Sequence, residues 1–200
     1  MKNRHQLPNF HKMPNMKVDT EKLLKCFTDF EASEDQLVKK CGPALLNKEY
    51  EQTYITYSSD KTAMIRDKAD ERTYTNLYDK YKGTYVEEVL NSFKSPYTRT
   101  RLVVQKPGAY ILPHMDYDMT YSVRFFIPLI TNEWSFVGIK RKGDTLPEIK
   151  HMPADGSVWF VNVGQQHSAW NFGKTDNIKM IVSINGQDDL DNADIKYNKW

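Results

Sequence analysis

The chain has 200 residues, the size of one domain, and a chain this long buries roughly 68–75% of the surface that it exposes when unfolded. Apolar residues make up 40% and charged residues 27%, which excludes bulk disorder, and no apolar run approaches the roughly 18–20 residues needed to span a bilayer. Lys and Arg (28) nearly balance Asp and Glu (26), and a net charge of +2 argues against a nucleic-acid partner.

From the N-terminus, residues 1–16 are polar and basic (Lys2, Arg4, Lys12), carry Pro8 and Pro14, and lack the apolar centre of a secretory signal. A frayed segment is expected there, holding His5 and His11. The two cysteines, Cys26 and Cys41, have no zinc-like spacing and read as half-buried thiols in a reducing compartment, with the cytoplasm as location.

Residues 1–95 read as a helical N-terminal part. Asp19 or Thr20 can cap a helix that places Leu23, Phe27 and Phe30 at helical spacing. Ser33 with Gln36 resembles a capping box for a second short helix, which Gly42-Pro43 stops. Tyr74, Leu77, Tyr78, Tyr81, Tyr85, Val89 and Phe93 form one stripe of a core-facing helix over 74–93, weakened by Gly83.

After Ser95-Pro96 the texture changes to short β-prone runs: 101–105, 110–112, 123–130, 134–139, 148–152, 157–161, 167–171 and 178–184. Pro107-Gly108, Gly143-Asp144 and Asp155-Gly156 mark turns between them. Strands in succession without helices indicate a sandwich, jelly roll or barrel. The expected fold is mainly β with N-terminal helices bracing a core at 96–187, and a polar tail at 188–200. One domain over 1–200 accounts for all of it.

On a strand, residues two apart share a face, so His114 and Asp116 can offer an imidazole and a carboxylate to one point. His167, in Gln166-His167-Ser168-Ala169-Trp170-Asn171, can supply a third ligand. Two histidines and one carboxylate are the facial set that holds iron(II) and leaves positions open. On spacing alone, a surface histidine beside a turn carboxylate and a hydrogen-bonded core histidine remain the plainer reading. His151 has no second ligand nearby and reads as structural or exposed.

The run Lys106-Pro107-Gly108-Ala109-Tyr110-Ile111-Leu112-Pro113-His114-Met115-Asp116 resembles the first metal motif of the aspartyl/asparaginyl β-hydroxylase-like oxygenases, a group that includes free-proline hydroxylases. The similarity continues through Arg124-Phe125-Phe126-Ile127-Pro128-Leu129-Ile130 and ends at His167-Ser168-Ala169-Trp170-Asn171, covering roughly residues 99–185. The resemblance implies a double-stranded β-helix, a jelly-roll and cupin-like core. It also implies Fe(II) on His114, Asp116 and His167, with 2-oxoglutarate as cosubstrate, dioxygen as oxidant, and succinate and CO2 as co-products. The reaction implied is hydroxylation of an unactivated C–H bond of a free amino acid such as proline, or of an Asp, Asn or Pro residue in a peptide. A small free amino acid is favoured, since no peptide-recognition domain is appended.

Two positions depart from the group. Asn177 stands where an arginine normally pairs with the far carboxylate of 2-oxoglutarate, and Phe126 stands where a histidine often contacts it. A buried carboxylate needs a cation. Lys179, two residues along the same strand, is the candidate, with a solvent-facing lysine as the alternative. Arg124 is expected to face inward near the cosubstrate. Arg99 and Arg101 share a face and, like Arg124, can clamp a carboxylate of 2-oxoglutarate or of an amino-acid substrate; a surface ion pair explains Arg124 equally simply and is the favoured explanation for Arg99 and Arg101. Tyr117, Tyr121, Trp134 and Trp170 are candidate walls of the substrate pocket, or packing residues. The competing function is a non-catalytic cupin-like metal-binding module, which the missing arginine favours.

Overall fold

The computed structural model describes residues 1–27, 32, 36–40, 50–65 and 69–191. Its first half runs β1 (Phe10–Lys17), α1 (Thr20–Cys26), β2 (Val38–Lys40), β3 (Tyr50–Tyr54), β4 (Thr56–Tyr57), α2 (Lys61–Ile65), β5 (Asn76–Leu77) and α3 (Tyr85–Asn91). Its second half is almost wholly β: β6 (Arg101–Gln105), β7 (Tyr110–His114), β8 (Val123–Ile130), β9 (Ser135–Lys140), β10 (Glu148–Lys150), β11 (Ser157–Val161), β12 (Gln166–Asn171) and β13 (Asn177–Ile184), then the short α4 (Asp188–Asp191).

Two antiparallel sheets make the body of the molecule, in the manner of a jelly roll. The larger has the order β1-β11-β8-β13-β6-β3-β2 and the smaller the order β10-β9-β12-β7. Along β8 the alternation is plain. Arg124 and Phe126 line the space between the sheets, while Phe125 points outward onto Phe93 just past α3, with ring centres 5.1 Å apart. Every residue of β13 is buried, as expected of a strand covered on both faces.

The helical reading of residues 1–95 is corrected by the structure. Short helices are present, and Asp19 caps α1 by accepting a hydrogen bond from the Lys22 N–H at 3.0 Å. The same stretch, however, supplies three strands of the larger sheet. Residues expected to fray form β1, paired antiparallel with β11 with a register shift between Lys12 and Lys17, with Phe10 opposite Val161 and Leu7, Phe10 and Met13 buried. The second predicted helix is replaced by β2 at 38–40, while Phe30, Ser33, Cys41, Gly42 and Pro43 lie outside the described residues.

Residues 74–93 do not form one helix either. They contain β5, a 3-10 turn at Asp79–Tyr81, and α3, capped by the Thr84 hydroxyl. Between the last two, Gly83 takes φ +69°, a left-handed conformation that glycine adopts at little cost. The aromatic stripe is nevertheless in the core: Tyr74, Leu77, Tyr78, Tyr81, Val89 and Phe93 are all buried. A three- or four-residue spacing is satisfied by 3-10 turns as well as by a continuous helix, so the spacing predicted burial but not the element. No helix among the described residues is long and apolar enough to cross a membrane.

Two prolines sit where strands tolerate them. Pro113 lies in β7, which is an edge strand of the smaller sheet, so its missing N–H interrupts no central ladder. Pro128 lies in the interior strand β8, and there the pairing with β13 skips a residue between Ile178 and Lys179. Such a bulge absorbs the absent donor and re-aims neighbouring side chains.

Candidate active site

The register of the smaller sheet sets His167 of β12 directly opposite His114 at the end of β7. Their rings lie 4.2 Å apart between centroids. Each Nδ1 is tied to a backbone carbonyl two residues back: His114 to Leu112 at 2.8 Å and His167 to Gln165 at 3.1 Å. Those bonds place the proton on Nδ1 and leave the Nε2 lone pairs free.

Asp116 follows β7, and its N–H donates to the Val163 carbonyl at 3.0 Å. One carboxylate oxygen stands 3.7 Å from His114 Nε2 and the other 3.9 Å from His167 Nε2. One ligand atom from each of the three residues lies within 4.8 Å of the others. Burial holds the His167 imidazole down at about 4, opposed by the Asp116 charge. Burial pushes the Asp116 carboxyl up, but Arg124, His167 and Arg101 outweigh it and hold the group at about 2. At neutral pH His167 is therefore a neutral imidazole and Asp116 a carboxylate, and with the Nε2 of His114 they make the donor set that suits iron(II).

This cluster lies at one end of a cavity of about 340 Å³ between the sheets. From the smaller sheet come His114, His167, Ile111, Val137 and Ala169; from the larger come Arg101, Val103, Arg124, Phe126, Lys179 and Ile181. A second, outer cavity of about 350 Å³ reaches Asp116 from the other side, past Glu71, Tyr74, Arg99, Met115 and Tyr117.

The family model for aspartyl/asparaginyl β-hydroxylase matches residues 68–186, more than half of the chain, and spans all three clustered side chains. The chain belongs to the aspartyl/asparaginyl β-hydroxylase family. Membership makes it an enzyme, a 2-oxoglutarate-dependent dioxygenase, with iron and 2-oxoglutarate as the family's cofactors. Among solved structures, an oxidoreductase of the 2OG-Fe(II) oxygenase family from Burkholderia pseudomallei matches with a TM-score of 0.59 and 13% identity, covering 96% of this chain and 89% of that one. The non-heme alpha ketoglutarate dependent epimerase SnoN from nogalamycin biosynthesis matches with a TM-score of 0.53 and 12% identity, over 90% and 78% of the two chains. At such identities the likeness is one of fold. No curated protein matches the chain in sequence.

The remaining predicted site residues fall into three groups. Lys179 is inside: it is 6% exposed, its ammonium lies 5.5 Å from the centre of the Phe126 ring, and it has no hydrogen-bond or ion-pair partner among the described residues. Burial alone pushes it down to about 8. Arg101 is 5% exposed and lines the same cavity, and its Nε and Nη1 have no hydrogen-bond partner.

Arg124 and Arg99 form the second group, both committed to carboxylates. Arg124 reaches Asp116 with Nη1 and the two oxygens of Glu71 with Nη2, at 2.9 and 3.0 Å. Arg99 contacts Glu71 and donates to the Tyr54 hydroxyl at 2.6 Å.

The third group stands off the inner cavity. Asn177 donates to the Gln105 side chain at 3.3 Å, next to a smaller void that it shares with Lys179. Tyr117 borders the outer cavity and stacks on Tyr121, 4.3 Å between ring centres. Trp134 is 57% exposed. Trp170 covers Gly138, where an added Cβ would fall 2.6 Å from the indole.

Glu71 is the residue near the site that sequence reasoning passed over. It sits in a 3-10 turn, is 4% exposed, and bridges Arg99 to Arg124. Burial raises its carboxyl, yet Arg124, Arg99 and Arg101 together hold it at about 2. Nothing in its local sequence, Asp70-Glu71-Arg72, sets it apart from a surface ion pair.

Proposed function

We propose that this protein hydroxylates an unactivated C–H bond of an amino acid, free or within a peptide, with succinate and CO2 as co-products. The observation that carries the reading is the meeting of two free Nε2 atoms and one carboxylate at the end of a cavity that also contains a buried, unpartnered ammonium. His114, Asp116 and His167 would hold iron(II), and when bound the ion would supply the activation of dioxygen.

The protein's own share is positioning. Arg124 holds one oxygen of Asp116 and keeps the carboxylate ionised. Lys179 would receive the far carboxylate of 2-oxoglutarate, with Asn177 beside it tied to Gln105 and not to the ligand. Val103, Val137, Ala169 and Ile181 give the cavity dry walls that exclude water from the reacting atoms. The outer cavity, bordered by Arg99, Tyr74, Met115 and Tyr117, is the approach to Asp116 from outside. The double-stranded β-helix arrangement, and a single oxygenase domain over 1–200, belong to the same proposal.

The test is oxygen-dependent succinate formation in step with a product heavier by one oxygen, across a panel of free amino acids and peptides. Loss of both on His114→Ala and on Asp116→Ala is expected. Unchanged turnover in those variants rejects the proposal. Under anaerobic conditions, iron(II) and 2-oxoglutarate together are expected to give a visible charge-transfer band. A cupin-like module that cannot chelate the cosubstrate would give none, and Lys179 in the cavity is what favours the enzyme over that module.

A further inference from the structure

Asp116 has two carboxylate oxygens, and a metal at this site needs at least one of them. Arg124 Nη1 contacts Oδ2, whereas among the described residues no hydrogen bond reaches Oδ1, which stands 3.7 Å from His114 Nε2. An arginine and an aspartate left to themselves would not divide the oxygens in this way. A guanidinium and a carboxylate close preferentially into a two-point pair, with two parallel N–H donors on two oxygens. With the two side chains only 6% and 20% exposed, water would compete little with such a pair, and it would engage both oxygens of the ligand.

The second arm of the arginine fork is instead occupied by Glu71, whose two oxygens both accept from Arg124 Nη2, at 2.9 and 3.0 Å. Glu71 is in turn kept from following the arginine. Arg99 contacts it from the residues leading into β6, and Arg99 is itself held by the Tyr54 hydroxyl at 2.6 Å. The 3-10 turn that carries Glu71 is also fastened to the segment between Asp116 and Arg124. Tyr121 of that segment donates to Asp70, and Arg72, bonded to Asp70 at 2.7 Å, lies 4.5 Å from the centre of the Tyr121 ring.

We infer that Glu71 is a positioning residue, which keeps Arg124 on a single oxygen of Asp116 and so leaves the other oxygen to the metal. The inference rests on the oxygenase reading above, in which Asp116 is a ligand. A Glu71 that only neutralised buried arginines would change the stability of the fold, and its effect on metal binding would not pass through Arg124.

Anaerobic titration calorimetry of iron(II) into the metal-free full chain, without 2-oxoglutarate, tests the inference, with the melting temperature of each variant read alongside. Glu71→Gln keeps the shape of the side chain and loses the charge that engages Arg124. It is expected to weaken iron(II) binding about tenfold to a hundredfold, as loss of a partner behind a metal ligand does. Lysine offers a point charge in place of a fork, so Glu71→Gln combined with Arg124→Lys is expected to return to within about threefold of the wild-type affinity. Where Glu71→Gln does not fold, Glu71→Asp carries the test. It keeps the charge but shortens the reach, and a loss of at least about threefold, restored by Arg124→Lys, is expected. Unchanged iron(II) affinity in the folded Glu71 variant overturns the inference. So does a loss that persists in full with Arg124→Lys present, because Glu71 would then act on the fold or on the charge of the site and not through the arginine. A wild type that takes up no iron(II) overturns the oxygenase reading, and the inference with it.

Discussion

At the scale of single residues, Lys179 sets stability against binding. A buried ammonium with no acceptor among the described residues destabilises the folded chain, and the displacement of its pKa from 10.5 to about 8 corresponds to a cost on the order of 3 kcal/mol. Lys179→Met is therefore expected to raise the melting temperature at neutral pH and to weaken 2-oxoglutarate binding at least about tenfold. The pH dependence has a definite sign. The folded pKa lies below the unfolded one, so the unfolded chain binds more protons between pH 8 and 10.5, and this group's contribution to stability rises with pH across that window. Denaturant melts of wild type and variant should show the variant's advantage constant below pH 8 and vanishing towards 10.5. A variant less stable than wild type at pH 7 would show that the ammonium has a partner in the fold.

The same scale shows what local sequence could say. The two-residue spacing of His114 and Asp116 points to a shared face, but only His114 is on β7; Asp116 lies just beyond the strand, held by its N–H bond to the Val163 carbonyl. Glu71 reaches the same point from a turn in the other half of the chain, and no periodicity encodes that approach. Its neighbour Arg72 bonds Asp70 at 2.7 Å and hides the longer-range role of Glu71 behind an ordinary local pair.

At the scale of elements, the strand β12, which carries His167, depends on the close packing of β9 beneath Trp170. Ser168 pairs with Gly138 and His167 with Ile139, so Gly138 stands one residue from the pair that positions a ligand. An added Cβ would meet the indole at 2.6 and 2.8 Å, and Trp170 would have to swing away. Gly138→Ala is expected to cost about 1–3 kcal/mol and to weaken metal binding. Thermal melts should find that cost relieved in a Trp170→Ala background; equal cost in both backgrounds would place the strain elsewhere. The eight strand runs of the second half were legible because turn residues separate them and β-branched and aromatic side chains fill them. The bulge that matches Lys179 with Pro128 was legible only in part, since proline announces an interruption but not which face the partner strand presents.

At the scale of the whole molecule, the N-terminus is part of the larger sheet and not an appendage. β1 covers the edge of β11, and the Arg4 side chain binds Asp118 at 2.7 Å and the Gly164 carbonyl at 2.5 Å, just past Asp116 and just ahead of β12. Removing residues 1–17 would strip Leu7, Phe10 and Met13 from the core and open the edge of β11 to pairing with other chains. The truncated protein is expected to be largely insoluble or aggregated, as size-exclusion chromatography would show. A monomeric product with the wild-type melting temperature would instead make β1 dispensable.

The amino-acid sequence by itself determined the β character of the second half, the burial of the aromatic stripe at 74–93, and the identity of three side chains able to share one cation. The first two depend on short-range periodicity and residue type, which the chain carries locally, and the third on the resemblance of three separated motifs to one family. Only the tertiary structure decided that residues 10–17 and 50–54 join the larger sheet, that Glu71 takes up Arg99 and Arg124, and that Arg101 and Lys179 lie inside with no hydrogen-bond or ion-pair partner among the described residues. Such outcomes depend on which strands lie side by side. That choice is made by the burial and hydrogen-bond demands of the molecule as a whole, and no single segment records it.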